Sequence, residues 1–130
     1  MKNDTFVRTS SKDVYCNCLG IVTQQLERRL GEEQHVIIFI ERLGRIARRV
    51  DELQILTEDM ITDMEFSDPQ VSYCEKQLEM YNELLMSTAA TNNEGSMNIW
   101  INIILWWEEQ LEKCKAGGFF EREPQCLYNK

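Results

Sequence analysis

Glu32 and His35 stand three residues apart, the spacing that aims a carboxylate and an imidazole from one helical face at a carboxylate-bridged di-iron centre. Such a centre takes two of these motifs and two further carboxylates, and the chain has a single histidine. One copy reads as an ordinary solvated first turn. Zinc fares no better: Cys16 and Cys18 are two apart, which on a helix points them in different directions, and adding His35 or Cys126 supplies no paired ligand spacing. With one histidine and no G-x-S-x-G or comparable nucleophile pattern, a hydrolytic triad has nothing to stand on. The expectation is a protein that is not an enzyme and that holds no metal and no cofactor.

The charged residues suggest binding instead. Fourteen Lys and Arg against twenty-two Asp and Glu leave a net charge of −8, which disfavours nucleic acid as a partner and favours neutral or basic ones. Arg28, Arg29, Arg42, Arg45, Arg48 and Arg49 gather six of the basic residues. On a helix Arg42, Arg45 and Arg49 share one face, either as a surface for phosphate or an acidic partner or as the charged flank of a bundle seam. From Asp51 to Asp68 there are seven acidic residues and no basic one, without the glycine and oxygen-ligand spacing of a calcium loop. That run reads as a solvated or partner-facing surface, and two antiparallel copies of such a helix would match basic end to acidic end.

These residues need elements to carry them. At 130 residues the chain is one domain by size, and the spacing of its apolar residues predicts helices throughout. Residues 1–9 read as a flexible N-terminal arm, 10–118 as the helical domain and 119–130 as a C-terminal tail. Ser10 and Asp13 cap a first helix whose stripe is Tyr15, Leu19, Val22, Leu26 and Leu30, ending at Gly31. Val36, Phe39, Leu43, Ile46, Val50, Leu53, Thr57, Met60 and Met64 alternate three and four apart, predicting one long central helix to about residue 66. Asp68 and Pro69 start a third helix through Val71, Cys74, Leu78, Tyr81 and Leu85. A loop over 87–96 and a cap at Ser96 lead into a fourth helix that stops at Gly117 and Gly118. The expected fold class is all-α: a four-helix bundle or an elongated helical hairpin assembly, with coiled-coil-like packing along the central helix. Cys74 and Cys114 fall on apolar stripes and read as small buried hydrophobes.

The fourth helix is the unusual one. Its sequence NIWINIILWW puts Trp100, Ile104 and Trp107 on a core line shared with Leu111 and Cys114, yet Ile101 and Leu105 occupy one flank and Ile99 and Trp106 the other. Nine apolar-rich residues cannot span a bilayer, which takes about twenty. Either the helix is central to a monomer, or one flank is covered by another chain. The second option makes Ile99, Ile101, Leu105 and Trp106, with Arg42, Arg45 and Arg49, the expected partner-binding residues. The function expected is a helical protein–protein interaction module, a scaffold, adaptor or assembly subunit that binds a protein partner or forms a homo-oligomer. The alternative is a small helical regulator or inhibitor, a virus-encoded one included, that occludes a site on a larger protein. Five cysteines without C-x-x-C, and a start lacking the apolar run of a signal peptide, set the expected location as intracellular, cytoplasmic or nuclear.

Overall fold

Val36, Ile37, Ile38 and Ile40 lie in an extended strand and not on a helix. Branching at Cβ restricts these side chains at χ1 and suits them to a pleated surface, and this preference wins over the helical spacing of the same segment. The computed structural model describes residues 1–27, 33–91 and 94–124. The chain divides into two compact units, Met1–Ser72 and Tyr73–Lys130.

In the first unit, β1 (Phe6–Thr9), β2 (Leu19–Gln25), β3 (His35–Ile40), β4 (Gly44–Arg49) and β5 (Leu53–Leu56) form one antiparallel sheet in the order β4-β3-β2-β1-β5. Alternate residues face one core: Val7, Cys18, Val22, Val36, Ile38 and Ile40 are buried, and Met1, Tyr15, Leu43, Ile46, Val50 and Leu53 pack against them. The β3–β4 turn needs two left-handed residues, Arg42 at φ 69° and Gly44 at φ 108°, so no helix can run through it.

The sheet is strongly curled. A 3-10 turn, Val50–Glu52, carries the chain from edge strand β4 to the opposite edge strand β5. In a flat sheet those strands would lie four spacings apart, about 19 Å. The four steps from Arg49 to Leu53 reach at most about 14 Å. The edges must therefore bend toward one another into an open barrel, helped by the register shift between Val22 and Gln24 in β2.

Residues 10–18 cover the sheet. Asp13 holds Arg48 of β4 through two contacts of 2.6 and 3.1 Å, and the Thr9 hydroxyl donates to the Tyr15 carbonyl and accepts from the Cys18 amide. Burial alone would raise the Asp13 pKa, but hydrogen bonds from Arg48 and the Tyr15 amide outweigh it and hold the carboxyl below its ordinary value of 3.8.

A short helix, α1 (Glu58–Asp63), capped by Thr57, follows β5. Then α2 (Pro69–Ala90) begins: Asp68 accepts the Gln70 amide at 2.8 Å, and Pro69 sits in the first turn, where its missing amide costs nothing. In the second unit α3 (Glu94–Lys115) follows. It closes with the Gly118 amide on the Lys113 carbonyl and the Gly117 amide, at φ 95°, on that of Cys114. This paired arrangement satisfies two carbonyls that a helix end leaves open.

An all-α bundle is therefore not what forms, and neither a long central helix nor a coiled-coil seam exists. The segment read as that helix is β3, β4, the 3-10 turn, β5 and α1. The segment read as the first helix holds a covering loop and β2, its end at 28–32 lying outside the described residues. The expected N-terminal arm contains β1. The expected loop over 87–96 is mostly helix, since α2 continues to Ala90 and α3 already starts at Glu94, with Ser96 inside it.

Candidate interaction site

The site is built on α3 and the chain that folds back from its end. Trp107 is 2% exposed and Ile103, Ile104, Gln110 and Cys114 are buried, which fixes the inward line of the helix. Trp107 packs against Tyr73 of α2 with centroids 5.7 Å apart, and Trp100 against Tyr81 at 5.9 Å. After the glycine stop, Phe120 stacks on Tyr73 at 4.6 Å and 7°, and the Glu121 amide donates to the buried Gln110 side chain at 2.8 Å.

Glu123 completes the fold-back: one carboxylate oxygen accepts from the Tyr81 hydroxyl at 2.8 Å and from the Trp107 indole N–H. Buried aromatic rings with polar tips need such partners. The Tyr73 phenol is raised, first by burial and then by the nearby Glu123 charge, so it stays protonated. Tyr73, Gln77, Trp107, Phe120, Glu121, Arg122 and Glu123 line a cavity of about 440 Å³. Its described lining is aromatic and carboxylate, and among the described residues no histidine, serine, cysteine or lysine lines it.

The opposite side of α3 is open to solvent. Ile101 is 39% and Leu105 57% exposed, and Glu108 and Glu112, also exposed, continue their line. With spacings of four, three and four, these side chains fall within about 60° of one another around the helix. The result is a stripe that is apolar for one turn and acidic for the next. The other expected flank is less open: Ile99 and Trp106 are half-buried, and Trp106 meets Trp107 edge to face at 4.9 Å.

The arginines do not gather with these residues. Arg42, in the β3–β4 turn, forms an ion pair of 2.6 Å with Asp68, and its carbonyl accepts from Gln70 at 2.7 Å. Arg45 and Arg49 project from one face of β4 and are exposed, with Arg49 3.3 Å from both Asp51 and Glu52. His35 opens β3 with Nδ1 2.9 Å from the Glu33 carbonyl, while Glu32 and Cys126 lie outside the described residues. The Cys18 thiol is buried, which pushes its pKa up to about 12. Among the described residues no group of three His, Cys, Asp or Glu is placed to hold a metal, and no helix is long and apolar enough to cross a membrane.

Sequence reasoning named Ile101 and Leu105 but missed Ile103 as core and missed Glu123 altogether. Ile103 sits one step off the line drawn through Trp100 and Trp107, a difference that only packing resolves. The double glycine followed by FFERE held a signal for Glu123: a sharp stop, two aromatics to fold back and carboxylates to meet the tryptophan and tyrosine tips. The chain shows no match to a protein-family model, to a curated protein or to a solved structure.

Proposed function

We propose that this protein is a non-enzymatic protein-binding module, and that the outward stripe of α3 is its docking surface. The observation that carries this reading is the exposure of Ile101 and Leu105, at 39% and 57%, in one line with exposed Glu108 and Glu112. Two aliphatic side chains on adjacent turns offer an anchor, and the carboxylates beyond them set the charge of what can lie there. The occupant this favours is a basic amphipathic helix whose apolar residues meet Ile101 and Leu105 and whose lysines or arginines meet Glu108 and Glu112. A second copy of Ile101, Leu105, Glu108 and Glu112 supplies no positive charge to meet these carboxylates, which favours a basic partner over self-association through this face.

The test uses two synthetic amphipathic helical peptides of equal apolar content, one with lysine and one with glutamate on its polar face, and reads binding by fluorescence anisotropy. The lysine peptide should bind, weaken as salt is raised, and lose about tenfold in affinity or more to Leu105→Lys, the loss of one anchor residue worth over 1 kcal/mol. Equal binding of both peptides, or unchanged binding to Leu105→Lys, would overturn the proposal. So would a dimer that the same substitution dissolves, because it would put another copy on the face.

A further inference from the structure

Cys74 and Cys114 lie on facing helices with their Sγ atoms 3.8 Å apart, and both are free and buried, at 0% and 2% exposure. Cys74 is one turn into α2 and Cys114 next to the last residue of α3, so they meet at the end of the helix pair opposite the connection over 91–93. We infer that Cys74 and Cys114 form an intramolecular disulfide when the chain folds in the presence of a low-molecular-weight disulfide, cross-linking the open end of the helix pair.

The geometry asks for little. A disulfide sets its sulfurs about 2 Å apart, and two thiols already in van der Waals contact close that gap by small side-chain rotations. The cross-link spans 40 residues, long enough to remove many conformations from the unfolded chain. The chemistry balances with glutathione disulfide as oxidant. The thiolate of one cysteine attacks a glutathione sulfur, giving a mixed disulfide and one glutathione thiolate. The second cysteine's thiolate then attacks the protein sulfur and releases the other. The two cysteines are oxidised by two electrons, and their two protons end on two reduced glutathiones.

Timing follows from burial. Desolvation first, and then the neighbouring Cys114, push the Cys74 thiol up to about 12, so Cys74 in the folded protein holds little thiolate to attack an outside disulfide. Both thiols are also out of reach of an outside disulfide, at 0% and 2% exposure, so the bond forms while the helix pair is still open, and reducing it requires the pair to open again, as it does in urea. Reduced, folded protein should oxidise far more slowly than protein that refolds in the same buffer. The other described cysteines are placed differently: Cys18 donates to the Cys16 carbonyl and Cys16 accepts from the Ser72 hydroxyl.

The experiment refolds the full chain in a glutathione redox buffer, blocks remaining thiols by alkylation, and maps disulfides by mass spectrometry after proteolysis. The expected result is a Cys74–Cys114 linkage, two hydrogens lighter than the free pair, that persists in Cys126→Ser. It should come with an upward shift in the urea midpoint followed by tryptophan fluorescence, which dithiothreitol reverses. Alkylation of both cysteines after refolding, a linkage of either one to a different cysteine, or a linkage that lowers the midpoint would overturn the inference. The mapping on wild-type protein decides the matter even if Cys126→Ser prevents folding.

Discussion

Replacing Trp107 by alanine should separate the inward line of α3 from its outward stripe. The indole is 2% exposed, touches Tyr73, Trp106 and Phe120, and donates to Glu123. A tryptophan buries on the order of 200 Å², worth about 5 kcal/mol at ~25 cal/mol per Å². Partial collapse of neighbouring side chains brings the expected loss to about 3–5 kcal/mol. Leu105 is already 57% exposed, so Leu105→Ala removes less than half of what a fully buried leucine contributes, under about 1 kcal/mol. All three tryptophans, Trp100, Trp106 and Trp107, belong to the second unit, so urea unfolding followed by tryptophan fluorescence reports on that unit. With a slope of about 1 kcal/mol per molar urea for a unit of this size, Trp107→Ala should lower the midpoint by about 3–5 M and Leu105→Ala by less than about 1 M. Equal shifts for the two variants would refute the assignment of inner and outer faces.

Two further outcomes test the supports of each unit. Because the folded pKa of Asp13 lies below its ordinary value of 3.8, the Asp13–Arg48 pair stabilises the first unit fully above that value and ceases to do so as pH falls through the folded pKa. Arg48→Met should leave only the Tyr15 amide to oppose burial, raising the Asp13 carboxyl from its value beside Arg48 in an NMR titration and costing about 2 kcal/mol at neutral pH, where a partly buried carboxylate loses its charged partner. Gly117→Ala should destabilise the second unit by about 1 kcal/mol in the same urea assay, since a side chain at φ 95° is strained whatever the room around it.

The parts of the fold that were legible in the sequence are those where local signals agree. Asp68 and Pro69 mark the start of α2, and Gly117 and Gly118 mark the end of α3, because a cap, a proline without an amide and a left-handed glycine have one physical meaning at a helix terminus. The strands were hidden by a coincidence of period. Phe39, Leu43, Ile46 and Val50 recur at helical spacing, yet β3 is a short run of mostly β-branched residues and Gly44 closes a turn in the middle of the supposed helix. A continuous apolar run of this length is compatible with either element, and the β-branched composition with the Arg42–Gly44 turn was the deciding information. Tertiary closure is beyond local pattern altogether: nothing near Arg48 in sequence says that Asp13 will reach it. The same holds for the site, where Ile101 and Leu105 stood out as surplus apolar residues while Glu123 acquires its role only once the tail folds back.

The most direct test of a docking surface on α3 is to record backbone amide NMR shifts while the lysine-bearing amphipathic peptide is titrated in. The account predicts that the largest changes centre on Ile101, Leu105, Glu108 and Glu112, with the amides of β4 around Arg45 and Arg49 unmoved. Changes that centre on β4, or that spread evenly over both units without saturating, would contradict it.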